Sequence, residues 1–125
     1  MPSKEKLMLD YLVLLRDNVV LQRSRDPKIV YIAQSYWFSF RLQAENYNRV
    51  LQVPEVFMDE NLHINYRWWK SNYELNVEIT EKDSYYWFTN EKTGLVWEKH
   101  YEPLFPPYGI PTDIYNKVLL FSEEA

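Results

Sequence analysis

Two histidines, His63 and His100, are the side chains of this chain best suited to acid–base chemistry. His63 lies in a stretch in which polar and apolar residues alternate, and the following stretch brings Glu78 to a position beside it. A carboxylate next to an imidazole orients the ring and raises its basicity, which suits general acid–base catalysis. A plain His–Glu pair on a sheet surface explains the same spacing more simply. We therefore assign no catalytic residue.

Carboxylates and metal ligands give no stronger signal. Glu74 and Glu78 share one strand face, but extended chain separates them by roughly 13 Å, more than the about 5–9.5 Å between glycosidase carboxyl groups. A metal site needs three or four convergent ligands, which two separated histidines and scattered acidic residues do not predict. The absence of cysteine removes thiolate catalysis and cysteine-ligated zinc. We expect no metal, no cofactor and no enzymatic activity.

Composition also argues against phosphate and nucleic-acid binding. The chain has only two glycines, whereas phosphate-cradling loops need several. Its net charge is −4, whereas domains that bind nucleic acids are usually basic. Glu74, Glu78 and Glu98 would repel a phosphate backbone on the predicted sheet. Binding to extended nucleic acid is therefore not expected.

Aromatic side chains are the unusual feature of the composition, at 18% of the residues. Between Leu62 and Tyr101, two runs place them on adjacent positions, at residues 68–69 and 85–88. Neighbouring side chains of a strand point to opposite faces, so both faces of the predicted sheet carry rings. Helices can cover only one of these faces. Either the Pro-rich segment 102–111 covers the other, or that face binds a partner.

Binding to another protein is the function that these residues favour. Interface hot spots are enriched in Trp, Tyr and Arg. The candidate partner-binding residues are Arg67, Trp69, Tyr73, Tyr85 and Trp87. The partner is another protein or a second copy of the chain, so a homodimer is one expected assembly. The small size of the chain, the lack of catalytic or metal-binding motifs and the high aromatic content suggest an inhibitor or accessory factor encoded by a phage or mobile element. The alternative is a small nucleotide or sugar bound in an aromatic pocket near Arg67.

The first half of the chain is predicted to be helical. Ser3 is a suitable N-cap for a first helix, whose wide apolar stripe predicts cover on more than one side. Asp26-Pro27 is typical of a helix start, because proline at the first helical position loses no hydrogen bond. This second helix is expected to continue to about Val50, with a polar C-terminal half.

The second half is predicted to be β-structure. Residues 62–69 and 74–80 alternate with a period of two and favour a hairpin in which Trp68 pairs with Leu75. Two further strands, at 85–90 and 95–101, complete a four-stranded antiparallel meander, with a short edge strand near Val56-Phe57. Residues 112–121 predict a short helix before an acidic end.

These elements predict a single α+β domain over residues 1–125. Two N-terminal helices pack on a four-stranded antiparallel meander, followed by a Pro-rich C-terminal arm and a short C-terminal helix. No run approaches the about 20 apolar residues of a membrane span, and the lysine-led N-terminus lacks a cleavage site. A cytoplasmic location without membrane association is expected.

Overall fold

The computed structural model describes residues 3–21, 28–102 and 109–125. Within them it contains three helices and two antiparallel sheets, which confirms the predicted α+β class. The elements, in chain order, are α1 (Lys4–Leu21), α2 (Lys28–Asn46), β1 (Arg49–Leu51), β2 (Glu55–Met58), β3 (Ile64–Lys70), β4 (Tyr73–Ile79), β5 (Ser84–Asn90), β6 (Gly94–Tyr101), α3 (Thr112–Leu119) and β7 (Ser122–Glu124). None of the described helices is long and apolar enough to cross a membrane.

Helix α1 begins where its capping residue predicts. The Ser3 Oγ accepts a hydrogen bond of 3.1 Å from the Lys6 N–H, which satisfies one of the free donors of the first turn. The predicted start of the second helix, Asp26-Pro27, lies outside the described residues. Its predicted end at about Val50 is wrong, since Asn48 adopts a left-handed φ of 57° after the last helical residue. Asparagine tolerates this conformation, so the chain turns there and continues as β1.

The main sheet has five strands in the order β2-β3-β4-β5-β6. The meander is therefore one strand wider than the four predicted strands, because the edge strand expected near Val56-Phe57 pairs fully with β3. The β3–β4 hairpin has the predicted register, with Trp68 opposite Leu75 and Tyr66 opposite Val77. A one-residue slip would move every apolar side chain of a strand to the opposite face.

A second, two-stranded sheet joins the two halves of the chain. Residues 122–124 were predicted only as part of an acidic end, but they form β7, which pairs with β1 so that Leu51 lies opposite Ser122. Arg49 stabilises this pairing, since its Nε donates to Ser122 Oγ at 2.6 Å and its Nη2 donates to the Ser122 carbonyl at 2.7 Å. Charged hydrogen bonds of this kind are stronger than neutral ones.

The hydrophobic core lies between the helices and one face of the main sheet. We call this face, which points to α2, the core face. Helix α1 packs on α2 and β2, and α2 contacts β3, β4 and α3. Of the Pro-rich segment, residues 103–108 lie outside the described residues, while Ile110 is buried in this same core. The apolar strand side chains buried on the core face are Ile64, Tyr66, Trp68, Leu75, Val77, Ile79, Tyr86 and Phe88.

Candidate functional site: the open face of the sheet

The opposite face of the main sheet carries most of the predicted partner-binding residues. We call it the open face; its strand residues alternate with the buried ones and are mostly half-buried or exposed. Arg67 and Trp69 of β3, together with Tyr85 and Trp87 of β5, all lie on it. Side chains of alternate strand positions share a face, which brings these four predicted residues onto one surface.

Tyr73 is the one predicted partner-binding residue that lies elsewhere. It has the same strand parity as Leu75 and Val77, and therefore belongs to the core face. Its ring stacks on Phe88 with 5.2 Å between centroids and 1° between planes, and 43% of the residue is exposed. It lines an apolar cleft of about 490 Å3 beside Phe121. The alternation of side chains along β4 already indicates that Tyr73 shares a face with Leu75. Trp69 lies on the opposite face, so the predicted grouping of Tyr73 with Trp69 does not hold.

Arg67 is held between two aromatic rings on the open face. Its guanidinium carbon lies 4.9 Å from the centroid of Phe57 and 5.4 Å from that of Trp69. Its Nε also lies 3.1 Å from Oε1 of Glu74 on the neighbouring strand. Cation–π contacts and an ion pair therefore already engage this guanidinium. These contacts fix the position of the guanidinium on the open face.

A second aromatic group lies two strands away. The Tyr85 ring stacks on His100 with 4.5 Å between centroids and lies 6.1 Å from the Trp87 ring, tilted by 13°. Glu98 is directly opposite Trp87 on β6. These four side chains line a cleft of about 200 Å3 together with Tyr86 and Lys99. Aromatic ring faces next to a carboxylate favour the binding of a cationic side chain.

Asp83 anchors this second group from the turn before β5. Its Oδ2 lies 2.8 Å from His100 Nε2 and accepts a hydrogen bond of 3.1 Å from the Tyr85 hydroxyl. Thr80 Oγ1 bonds to the other carboxylate oxygen. Burial alone would raise the pKa of Asp83, but the hydrogen bonds from Thr80, His100 and Tyr85 outweigh it and lower the pKa. Asp83 is therefore held as a carboxylate that orients both rings.

The open face is acidic. In the register of β2 to β6, its strand positions carry four glutamates against one arginine. The only arginine is the engaged Arg67. The net charge at these positions is thus negative, and a negative surface attracts basic partners and repels acidic ones. The four glutamates are Glu55, Glu74, Glu78 and Glu98.

A cluster of possible metal ligands lies at one end of this face. Asp59, His63 and Glu78 each offer one donor atom, and all three atoms lie within 4.8 Å of one another. Strand alternation predicts the His63–Glu78 pair but not Asp59, which the turn before β3 brings into the group. Burial raises the pKa of Glu78, and the neighbouring Asp59 carboxylate raises it further.

The hydrogen bonds of Asp59 hold its side chain in this cluster. Its Oδ1 accepts from the backbone N–H groups of Asn61 and His63, at 2.9 and 3.0 Å, and its Oδ2 accepts from the buried Asn65 amide at 3.1 Å. Burial acts to raise the pKa of Asp59, but these bonds outweigh it and lower the pKa. Asp59 is therefore an oriented carboxylate.

Helix α1 presents a further apolar surface. The sequence predicts that other elements cover this helix on more than one side, but among the described residues only one side is covered. Met8, Leu12 and Leu15 are buried on that side, whereas Leu7, Tyr11 and Leu14 are exposed. The exposed three follow the i, i+4, i+7 spacing of one helix face. No charge pattern on this stripe indicates what binds it.

Comparisons with known proteins identify no relative. The chain matches no protein-family model, no curated protein and no solved structure.

Proposed function

We propose that this protein is a non-catalytic binding module whose open face binds a basic segment of another protein. The observation that carries the proposal is the combination of half-buried aromatic rings and carboxylates on one sheet face. Trp87 lies directly opposite Glu98, with the Tyr85–His100 stack beside it, while Arg67 already contacts Glu74 and two rings. Lysine and arginine side chains bind such sites through cation–π contacts and ion pairs.

The same charges argue against the other ligands considered. A nucleotide phosphate would need a free cation, and the one strand arginine of the open face is engaged. Two copies of the open face would oppose four glutamates to four glutamates, which disfavours self-association through this surface. A small domain that occupies a basic segment would act as an inhibitor or accessory factor of a larger protein.

Affinity capture with matched variants tests this proposal. We expect Trp87→Ala and Glu98→Gln to lose most of the partner captured by the wild-type protein, because both remove the proposed cation site. Tyr73→Ala is the control: it removes an exposed aromatic ring from the other face, and it should capture the partner normally. Quantitative mass spectrometry measures the recovery. Circular dichroism checks that each variant is folded.

The contact site on the partner provides the second measurement. Chemical cross-linking should map the contact to a Lys- or Arg-rich segment, and capture should weaken as NaCl is raised, because surface charge pairs are screened by salt. Equal loss in Tyr73→Ala, or a contact segment without basic residues, would contradict the proposal. Co-purifying absorbance near 260 nm would point to a nucleotide, and light scattering at the mass of a dimer would point to self-association.

A further inference from the structure

The donor atoms of Asp59, His63 and Glu78 have the spacing of ligands around one ion. His63 Nδ1 is shielded from solvent and has no hydrogen-bond partner among the described residues. It lies 3.6 Å from Glu78 Oε2, which is longer than the about 2.7–3.2 Å of an N–H···O hydrogen bond. Two ligands of a tetrahedral zinc ion, each about 2.0–2.2 Å from the metal, lie about 3.4 Å apart. The pair therefore has the separation of two metal ligands.

From this geometry we propose that Asp59, His63 and Glu78 bind one divalent ion of the zinc class. The donor set of one imidazole nitrogen and two carboxylate oxygens suits Zn²⁺, whereas Mg²⁺ prefers an all-oxygen octahedron. Three protein ligands leave a fourth position for water, as in open zinc sites. The ion would also neutralise the two adjacent carboxylates, Asp59 and Glu78.

The surroundings of the cluster supply the support that a metal site needs. Metal-ligating carboxylates are usually oriented by further hydrogen bonds, and Asp59 accepts three, including one from the buried Asn65. The three ligands come from two different parts of the fold, the β2–β3 turn and strand β4. A bound ion would therefore link this turn to the middle of the sheet. His63 also lines a cleft of about 280 Å3 with Thr80 and Lys82.

Calorimetric titration of the metal-free protein with ZnCl₂ tests the site. We expect one equivalent of Zn²⁺ to bind and to raise the melting temperature, because a ligand that binds only the folded state stabilises it. The variants His63→Gln and Glu78→Gln should each weaken Zn²⁺ binding by at least about tenfold, since each removes a ligand. MgCl₂ should bind at least about tenfold more weakly than ZnCl₂.

His100→Gln is the matched control for surface binding. His100 also contacts a carboxylate, Asp83 at 2.8 Å, but belongs to no three-ligand cluster among the described residues. Zn²⁺ binding should be unchanged in this variant. Equal weakening in His100→Gln and His63→Gln, or no saturable binding to the wild type, would overturn the proposal.

A spectroscopic readout covers the case in which a ligand variant folds poorly. Co²⁺ in place of Zn²⁺ should give visible absorption typical of four-coordination in the wild-type and His100→Gln proteins. Absence of this absorption in the folded wild-type protein would also contradict the proposed site. Neither measurement needs the protein partner, so failure of the binding proposal would leave this result unaffected.

Discussion

The two faces of the main sheet use the same kinds of side chain in opposite ways. On the core face, Tyr66 and Trp68 are fully buried, and their polar atoms bond to backbone carbonyls: the Tyr66 hydroxyl to Ala33, and the Trp68 Nε1 to Gln52 at 2.7 Å. On the open face, half-exposed rings contact charged groups, as Trp69 does with Arg67. A residue type alone therefore does not indicate whether a ring serves the core or a surface.

The difference between the faces follows from how each ring is surrounded. Buried rings gain from loss of contact with water and from packing, and their polar atoms need partners because water cannot reach them. Half-exposed rings keep one face open, and a cation can bind there. The core face should thus govern stability, while the open face should govern binding.

Truncating adjacent tryptophans should separate the two faces most clearly. Trp68→Ala removes a fully buried ring that packs near Phe40 and Phe121, and we expect it to lower the free energy of unfolding by about 3–5 kcal/mol. Trp69→Ala, one residue later, removes a ring that is 44% exposed and should cost about 1 kcal/mol or less. Urea denaturation measures both. Similar losses would contradict the assignment of the two faces.

Removing single hydroxyl groups should again destabilise the fold more on the core face than on the open face, but by a smaller amount. Tyr66→Phe deletes a buried donor to the Ala33 carbonyl and should destabilise the fold by about 1–2 kcal/mol. Tyr85→Phe deletes a hydroxyl that bonds to Asp83 on the open face, and should destabilise the fold less than Tyr66→Phe does. Urea denaturation again gives both values. A larger cost for Tyr85→Phe would mean that the open face also supports the core.

The smallest expected effect is a pH dependence that comes from the open face. The folded-state pKa of Asp83 lies below its ordinary value of 3.8. Its stabilising contribution is therefore present above that value and is lost as the pH falls through the folded-state pKa. Asp83→Asn should destabilise the protein by less than about 1 kcal/mol at pH 7, and the deficit should shrink below about pH 4.

Asp113→Asn is the control for this pH effect. Asp113 pairs with Lys99 at 3.0 Å, and both side chains are substantially exposed, so its substitution should change stability little. Unfolding curves at pH 7, 5 and 3.5 provide the comparison. A deficit of Asp83→Asn that stays constant over this range would contradict the role assigned to the carboxylate.

Local patterns in the sequence predicted much of the sheet. Alternation at residues 62–69 and 74–80 was enough to predict the hairpin register, since both strands are close in sequence and only one register buries all the apolar side chains. The same alternation could have placed Tyr73 on the core face. The Ser3 cap was predictable for a similar reason, because capping depends on residues within one turn.

Contacts between distant segments were not predictable in this way. β7 pairs with β1 across about seventy residues of chain, and neither three-residue strand is long enough to give a periodic signal. The approach of Asp59 to Glu78 depends on the positive φ of 62° at Leu62 and on the buried Asn65 amide. Neither the turn conformation nor that burial is visible in residue spacing.

The sequence by itself determined the α+β class, the alternation of the strands and the aromatic character of both sheet faces, because each depends on residues close along the chain. The tertiary structure alone decided which aromatic rings remain accessible and which carboxylates meet His63. Those outcomes depend on how segments far apart in sequence pack to bury apolar area, and packing is a property of the whole fold.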